Sequence, residues 1–221
     1  GRALVDAIAN AGANVLVHAR TQASLDPVLA ALQPHGASVA GVVGDLQDTA
    51  LGKRIADAAE AAFGGLDVAV FNAGMLGPMA PLTAAETVAA LSHVLDVNVT
   101  AQLRIFEGLA PTLLAGERPG VIWLTSGLGR FALPNYGAYC VSKHGLEALN
   151  KMVAVEFEAA GLTSVAVAPG MVATEMLQAA LGGADVSGHT PAPAAAAGFV
   201  RLITGLDASL SGQSIDLEPY L

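Results

Sequence analysis

Ser38-Val39-Ala40-Gly41-Val42-Val43, a segment with apolar residues at helical spacing from about Asp48 to Phe63, and then Asp67-Val68-Ala69-Val70-Phe71 form the stretch that decides the fold. It reads as strand, helix, strand, and a helix that carries the chain back between two strands makes those strands parallel. Both strands are nearly continuous apolar runs, as expected where helices cover both faces of a sheet.

The alternation continues in both directions. Toward the start lie a helix near Leu25 to Leu32, a strand Asn14 to His18, and a helix from Gly1 to Ala9 that Gly12 ends. Toward the end, Thr83-Ala84-Ala85-Glu86 reads as a capping box opening a helical region to about Leu114, bent or interrupted near Pro111. A strand Val121 to Leu124, a helix Ala138 to Ala160 and a strand Ser164 to Ala168 follow, the last closed by Pro169-Gly170. The segment 173–190 reads as a loop with a short helix; Thr190-Pro191 then reads as a helix start with proline at the first position, and a last strand covers Gln213 to Leu217. No polar linker divides the chain, so residues 1–221 are expected to form one α/β domain around a doubly wound parallel sheet. Opening on a helix is at odds with this architecture, and the reading expects truncation by about a dozen to twenty residues that would supply a first strand.

The chain has 221 residues, 53% of them hydrophobic, and a mean hydropathy of +0.56. Its longest uncharged run, Val68 to Ala85, contains Asn72, Gly74, Gly77, Pro78 and Pro81, which would break a membrane-spanning helix, so no membrane partner is expected. A net charge of −9 with ten scattered Lys and Arg argues against a nucleic-acid surface. The single cysteine, Cys140, excludes an intramolecular disulfide and fits a reducing, cytoplasmic compartment. His18, His35, His93, His144 and His189 lack metal-ligand spacing, so no metal site is expected.

Ligands of an open parallel sheet bind beyond the carboxyl ends of its strands. Asp45, Asn72-Ala73-Gly74, Ser126 and Pro169-Gly170 all fall at such ends, although strand-to-helix turns recruit the same residue types for backbone reasons. Tyr139 and Lys143, four apart on a helix, project from one face. A hydroxyl, a phenol and an ammonium can therefore converge on one substrate oxygen.

Asn72-Ala73-Gly74, Asn98 within Asp96-Val97-Asn98-Val99, Ser126 thirteen residues before Tyr139, Tyr139-x-x-x-Lys143, and Pro169-Gly170-Met171-Val172-Ala173-Thr174 stand in one order along the chain. In these the chain resembles the short-chain dehydrogenase/reductase family over nearly its whole length. The resemblance implies a Rossmann-type sheet and hydride transfer between a nicotinamide cofactor and a carbonyl or alcohol. It assigns Tyr139 as acid/base, Ser126 as second donor to the substrate oxygen, Lys143 as the charge favouring the phenolate and a ribose ligand, and Asn98 as holder of a relay water. A helix-interior amide bonded to nearby backbone is the alternative for Asn98. Family members carry a glycine-rich phosphate loop after the first strand, and here Gly1 matches only its last glycine.

An acidic residue after the second strand selects NAD, whereas an arginine accommodates the extra phosphate of NADP. The sequence there is His18-Ala19-Arg20-Thr21, so NADP(H) is expected over NAD(H) with Arg20 as phosphate partner; an arginine merely exposed on a loop would look the same. By resemblance, Asp45 and Leu46 contact adenine, and Gly1, Asn72, Ala73, Gly74, Pro169, Gly170, Val172 and Thr174 complete the cofactor site. Phe131, Leu133, Tyr136, Met171, Met176 and Leu177 either wall an apolar substrate pocket or belong to the core. The long helices match those through which family members form homodimers and homotetramers. An epimerase or dehydratase of the same family, or a non-catalytic nucleotide-binding regulator on the same fold, are the competing readings.

Overall fold

The computed structural model describes residues 1–32 and 38–221; His35 lies outside the described residues. The elements run α1 Arg2–Asn10, β1 Val15–Ala19, α2 Gln22–Leu32, β2 Val39–Val43, α3 Leu51–Phe63, β3 Val68–Phe71, α4 Ala85–Leu95, α5 Ala101–Leu114, β4 Gly120–Leu124, α6 Gly137–Glu156, β5 Thr163–Ala168, β6 Val172–Ala173, α7 Glu175–Ala180, β7 Thr190–Pro191, α8 Ala192–Thr204 and β8 Ser214–Asp216. Every pairing is parallel, in the orders β3-β4-β5-β8, β1-β2 and β6-β7.

Side chains alternate across the sheet and build two apolar layers. On one face Val121 and Trp123 of β4 meet Leu51 and Ile55 of α3, Ile105, Phe106 and Leu109 of α5, and Leu146 and Val153 of α6. On the other face Ile122, Val165 and Val167 meet Leu4 of α1 and Phe199 and Leu202 of α8. Trp123 is wholly buried and stacks on Phe71 at 4.4 Å; its indole N–H donates to Ser164 Oγ at 2.9 Å. Helices α3 and α5 cross with backbones in contact. A Cβ on Gly52 would lie 2.7 Å from the Ile105 carbonyl oxygen, and one on Gly108 would lie 2.6 Å from the Gly52 carbonyl carbon.

The sheet is split between β1 and β3, and a cavity of about 930 Å³ lies there, lined by Leu16, Val17, Val68 and Val70 and, at its sides, by Gln102 and Leu109. Along a parallel strand, backbone groups of alternate residues serve opposite neighbours. Val15 N–H donates to Ser38 and Gly44 N–H to Ala19, so Leu16 and His18 turn theirs toward the slot. Gly120 N–H donates to Asp67, which likewise leaves Val68 and Val70 facing it from the other side.

Several local expectations need correction. Thr83 does not cap α4: the N-cap is Ala84, in extended conformation and with no side-chain hydrogen bond, because a turn closed by Ala84 N–H to Pro81 O puts Thr83 one residue too early. The long helical region is interrupted at Asp96–Thr100 by a π segment, while Pro111 sits inside α5. Thr190-Pro191 is strand β7, paired with Val172-Ala173, and α8 starts at Ala192 after an extended Pro191. Helix α6 ends at Glu156, and residues Glu158–Ala160 form a separate 3-10 turn.

Candidate active site

Strands β3, β4 and β5 end side by side, their register joining Phe71 to Trp123 and Leu124 to Val167. Ser126, two residues past β4, caps the 3-10 turn Gly127–Gly129, its Oγ accepting from Leu128 N–H at 3.2 Å. The loop then enters α6, which presents Tyr139 and Lys143 on one face. Lys143 Nζ sits 5.5 Å from the centre of the Tyr139 ring and donates to the Leu124 carbonyl at 2.7 Å.

Asn98 occupies the π segment and is wholly buried. Its Oδ1 accepts from Met75 N–H at 2.8 Å, and its Nδ2 donates to Met75 O and Ser142 Oγ, each at 2.9 Å. The amide therefore clamps the turn after β3 to α6. Gly74 is held between these groups: a Cβ there would lie 3.3 Å from Asn98 Oδ1 and 3.7 Å from Lys143 Nζ. Asn98, Lys143, Tyr139 and Ser126 thus meet at one strand edge. Ser142 is a member that sequence reading missed; it sits within the Tyr139-to-Lys143 turn and donates to the Tyr139 carbonyl at 2.7 Å.

The electrostatics differ from expectation at Tyr139. Burial pushes its phenol above the usual tyrosine value, with hydrogen bonding to Ser126 acting the other way. Burial also lowers Lys143 to about 8, opposed by attraction to Glu147.

The cofactor candidates divide into two groups. On the catalytic side of the slot lie Asn72, whose Nδ2 would be 3.1 Å from a Cβ on Gly1, and Ala73, whose carbonyl accepts from Gln102 at 2.8 Å. Pro169 and Gly170 turn the chain after β5, Gly170 at a φ of +74° that favours glycine. Val172 is in β6, and Thr174 caps α7, its Oγ1 accepting from Leu177 N–H at 3.2 Å. Across the slot Arg20 is exposed just past β1, and Asp45 is exposed past β2 with Oδ1 accepting from Gln47 N–H at 2.9 Å. Leu46 packs against the core.

Cys140 is buried, with Sγ donating to the Leu128 carbonyl at 3.2 Å, which fits packing. Among the described residues no group of three or more His, Cys, Asp or Glu could hold a metal ion, and no helix is long and apolar enough to cross a membrane.

A family model described as short chain dehydrogenase matches residues 1–183. The chain belongs to that family. A 1-deoxy-11-beta-hydroxypentalenate dehydrogenase of Streptomyces avermitilis is 29% identical to this short chain dehydrogenase, over 86% of this chain and 71% of the relative. An NADPH-dependent aldehyde reductase-like chloroplastic protein of Arabidopsis thaliana is 30% identical over 80% of this chain and 69% of its own. A solved short chain dehydrogenase structure from Pseudomonas syringae superposes with a TM-score of 0.89, covering 98% of this chain and 89% of that one at 27% identity. The doubly wound α/β reading and the family resemblance both hold, and membership places this chain among oxidoreductases that use nicotinamide cofactors.

Proposed function

We propose that the protein reduces a carbonyl compound with NADPH, Tyr139 delivering the proton to the substrate oxygen, or runs the same reaction backward on an alcohol. The observation that carries this reading is the pairing of Tyr139 with the buried Lys143, whose Nζ lies 5.5 Å from the phenol ring, at the carboxyl edge of the sheet where Ser126 follows β4. The residues fit a nicotinamide nucleotide at this end. The Lys143 ammonium has three N–H donors, and Leu124 O takes one of them, leaving two for ribose hydroxyls.

The bound cofactor would supply hydride to the carbonyl carbon. As that carbon gains the electron pair, negative charge grows on oxygen, and an aimed proton donor lowers the barrier. Tyr139 gives its proton to that oxygen, Ser126 donates a hydrogen bond to it, and the Lys143 charge steadies the phenolate left behind. Asn98 holds the 72–75 turn in place against α6. NADPH preference rests on Arg20 past β1 without an acid beside it, and the Arabidopsis relative is named for NADPH. Phe131, Leu133, Met171 and Met176 are exposed beside this edge and suit a substrate with an apolar body. Val141, Met152 and Val155 of α6 and Val88 of α4 are exposed apolar side chains that support a homodimer or homotetramer.

Tyr139→Phe and the unaltered protein, compared for carbonyl reduction with NADPH and NADH and for NADPH binding by fluorescence, test the reading. Loss of proton donation is expected to cut turnover by at least ~10²-fold with binding retained and NADPH preferred. Unchanged turnover in Tyr139→Phe would remove that residue from the mechanism, and preference for NADH would remove Arg20 from its role.

A further inference from the structure

Residues 174–189 leave the sheet after β6 and return to it at β7, and the parallel pairing of Val172-Ala173 with Thr190-Pro191 closes the base of this flap. No residue of α7 is buried, and a six-residue helix without a buried face does not hold its shape in water alone. Gly182 and Gly183 follow it at φ values of +67° and +90°, with open space where a Cβ would stand. Among the described residues, the only hydrogen bond or ion pair that leaves 175–188 for a distant part of the chain comes from Tyr136, whose hydroxyl donates to the Ala180 carbonyl at 2.7 Å. That carbonyl ends α7 and so lacks a partner within the helix.

Tyr136 is itself held in place. Asn135, at a φ of +70°, is the one non-glycine among the described residues in the left-handed region, which asparagine tolerates better than most side chains. Tyr136 also forms a parallel bridge with Ala80, and a Cβ on Gly137 would lie 2.7 Å from Leu82 Cδ1, so the 80–82 segment lies against the start of α6. Tyr136 is the N-cap of α6, three residues before Tyr139. We infer that Tyr136 is a positioning residue for this site, its hydroxyl latching α7 between the carboxyl end of β5 and the first turn of α6, which carries Tyr139. Because α7 bears the exposed Met176, the latch fixes where that apolar side chain stands relative to Tyr139. The consequence for substrate binding rests on the proposed reaction; the order of α7 does not.

Amide hydrogen exchange on the full chain reads the latch directly. In the unaltered protein the bonded amides of Gln178, Leu181 and Gly183 should exchange more slowly than those of an unstructured chain, and free exchange there overturns the inference without any variant. Tyr136→Phe keeps the ring and removes the donor, and is expected to speed exchange across 175–183 about fivefold, the worth of one hydrogen bond, with β4 and β5 unmoved. Unchanged exchange in 175–183 overturns the inference, as does a rise shared equally by β4 and β5. With NADPH and a carbonyl substrate, Tyr136→Phe should raise KM by a larger factor than it lowers kcat, because Tyr139 is untouched; a fall in kcat alone overturns the positioning role. A protein that reduces no carbonyl while α7 exchanges as expected would sink the proposed reaction and leave the latch standing.

Discussion

At the scale of the residue, Tyr139 and Lys143 could be singled out because Ser126 and the strand-end motifs stand with them in one order along the chain, which a tyrosine and a lysine four apart would not show alone. Their ionisation was not legible, since it follows from how much of each side chain the fold buries. Burial drives Lys143 from 10.5 to about 8. Between those values the unfolded chain holds a proton that the native chain has lost, so stability rises with pH across that window. Above about 10 Tyr139 acts oppositely, because its raised native value makes the unfolded chain the first to lose that proton. The unfolding free energy from urea titration should therefore climb between about pH 8 and 10, by at most on the order of 3 kcal/mol, the worth of the Lys143 shift. Lys143→Met should flatten this rise, and a flat profile in the unaltered protein would show that no charged lysine is buried there. Asn98 is the complementary case: its place in the motif order was plain, but its clamp on Met75 and Ser142 needed three distant segments to meet.

Among elements, helices and strands declared themselves by period, and errors gathered at their ends and joints. Thr83 and Glu86 have the spacing of a capping box, yet the preceding Pro81 turn sets where α4 begins. Pro111 looked like the interruption of the long helix, but the π segment Asp96–Thr100 interrupts it instead. That extra residue in the turn lets Asn98 reach inward while α5 keeps its apolar face on Trp123 through Phe106. The α3–α5 crossing depends on Gly52 and Gly108, which a helical periodicity reads as poor helix formers. Gly52→Val should cost roughly 2–3 kcal/mol, since its branches would press on α5 backbone that has no rotamer to yield. Gly188→Ala, with open space around it, should stay within about 0.5 kcal/mol by the same urea measurement. Equal effects of the two would remove the crossing as the cause.

For the molecule as a whole, the telling feature is the slot between β1 and β3, which separates the Arg20 and Asp45 ends from the catalytic edge. Leu16 and His18 on one side and Val68 on the other face it with backbone groups, the Val70 carbonyl being taken by Asn72 N–H at 3.1 Å, so it has the form of a template for one more parallel strand. Gly1 lies by Asn72, at the end where such a strand would finish. Joining an apolar strand of about five residues and a short glycine-containing turn ahead of Gly1 is expected to raise the urea midpoint and to tighten NADPH binding. A fusion that changes neither would show that the slot does not accept a strand. The sequence by itself determined the βαβ alternation, the parallel sense of the sheet, the family and the identity of the residues at the strand ends, because periodicity and motif order are local and survive without coordinates. Only the tertiary structure decided which of those residues meet. Side-chain bonds such as Asn98 to Ser142 and the burial that acts on Tyr139 and Lys143 come from chain segments far apart in sequence, and their free energies arise only once packing removes water from between them.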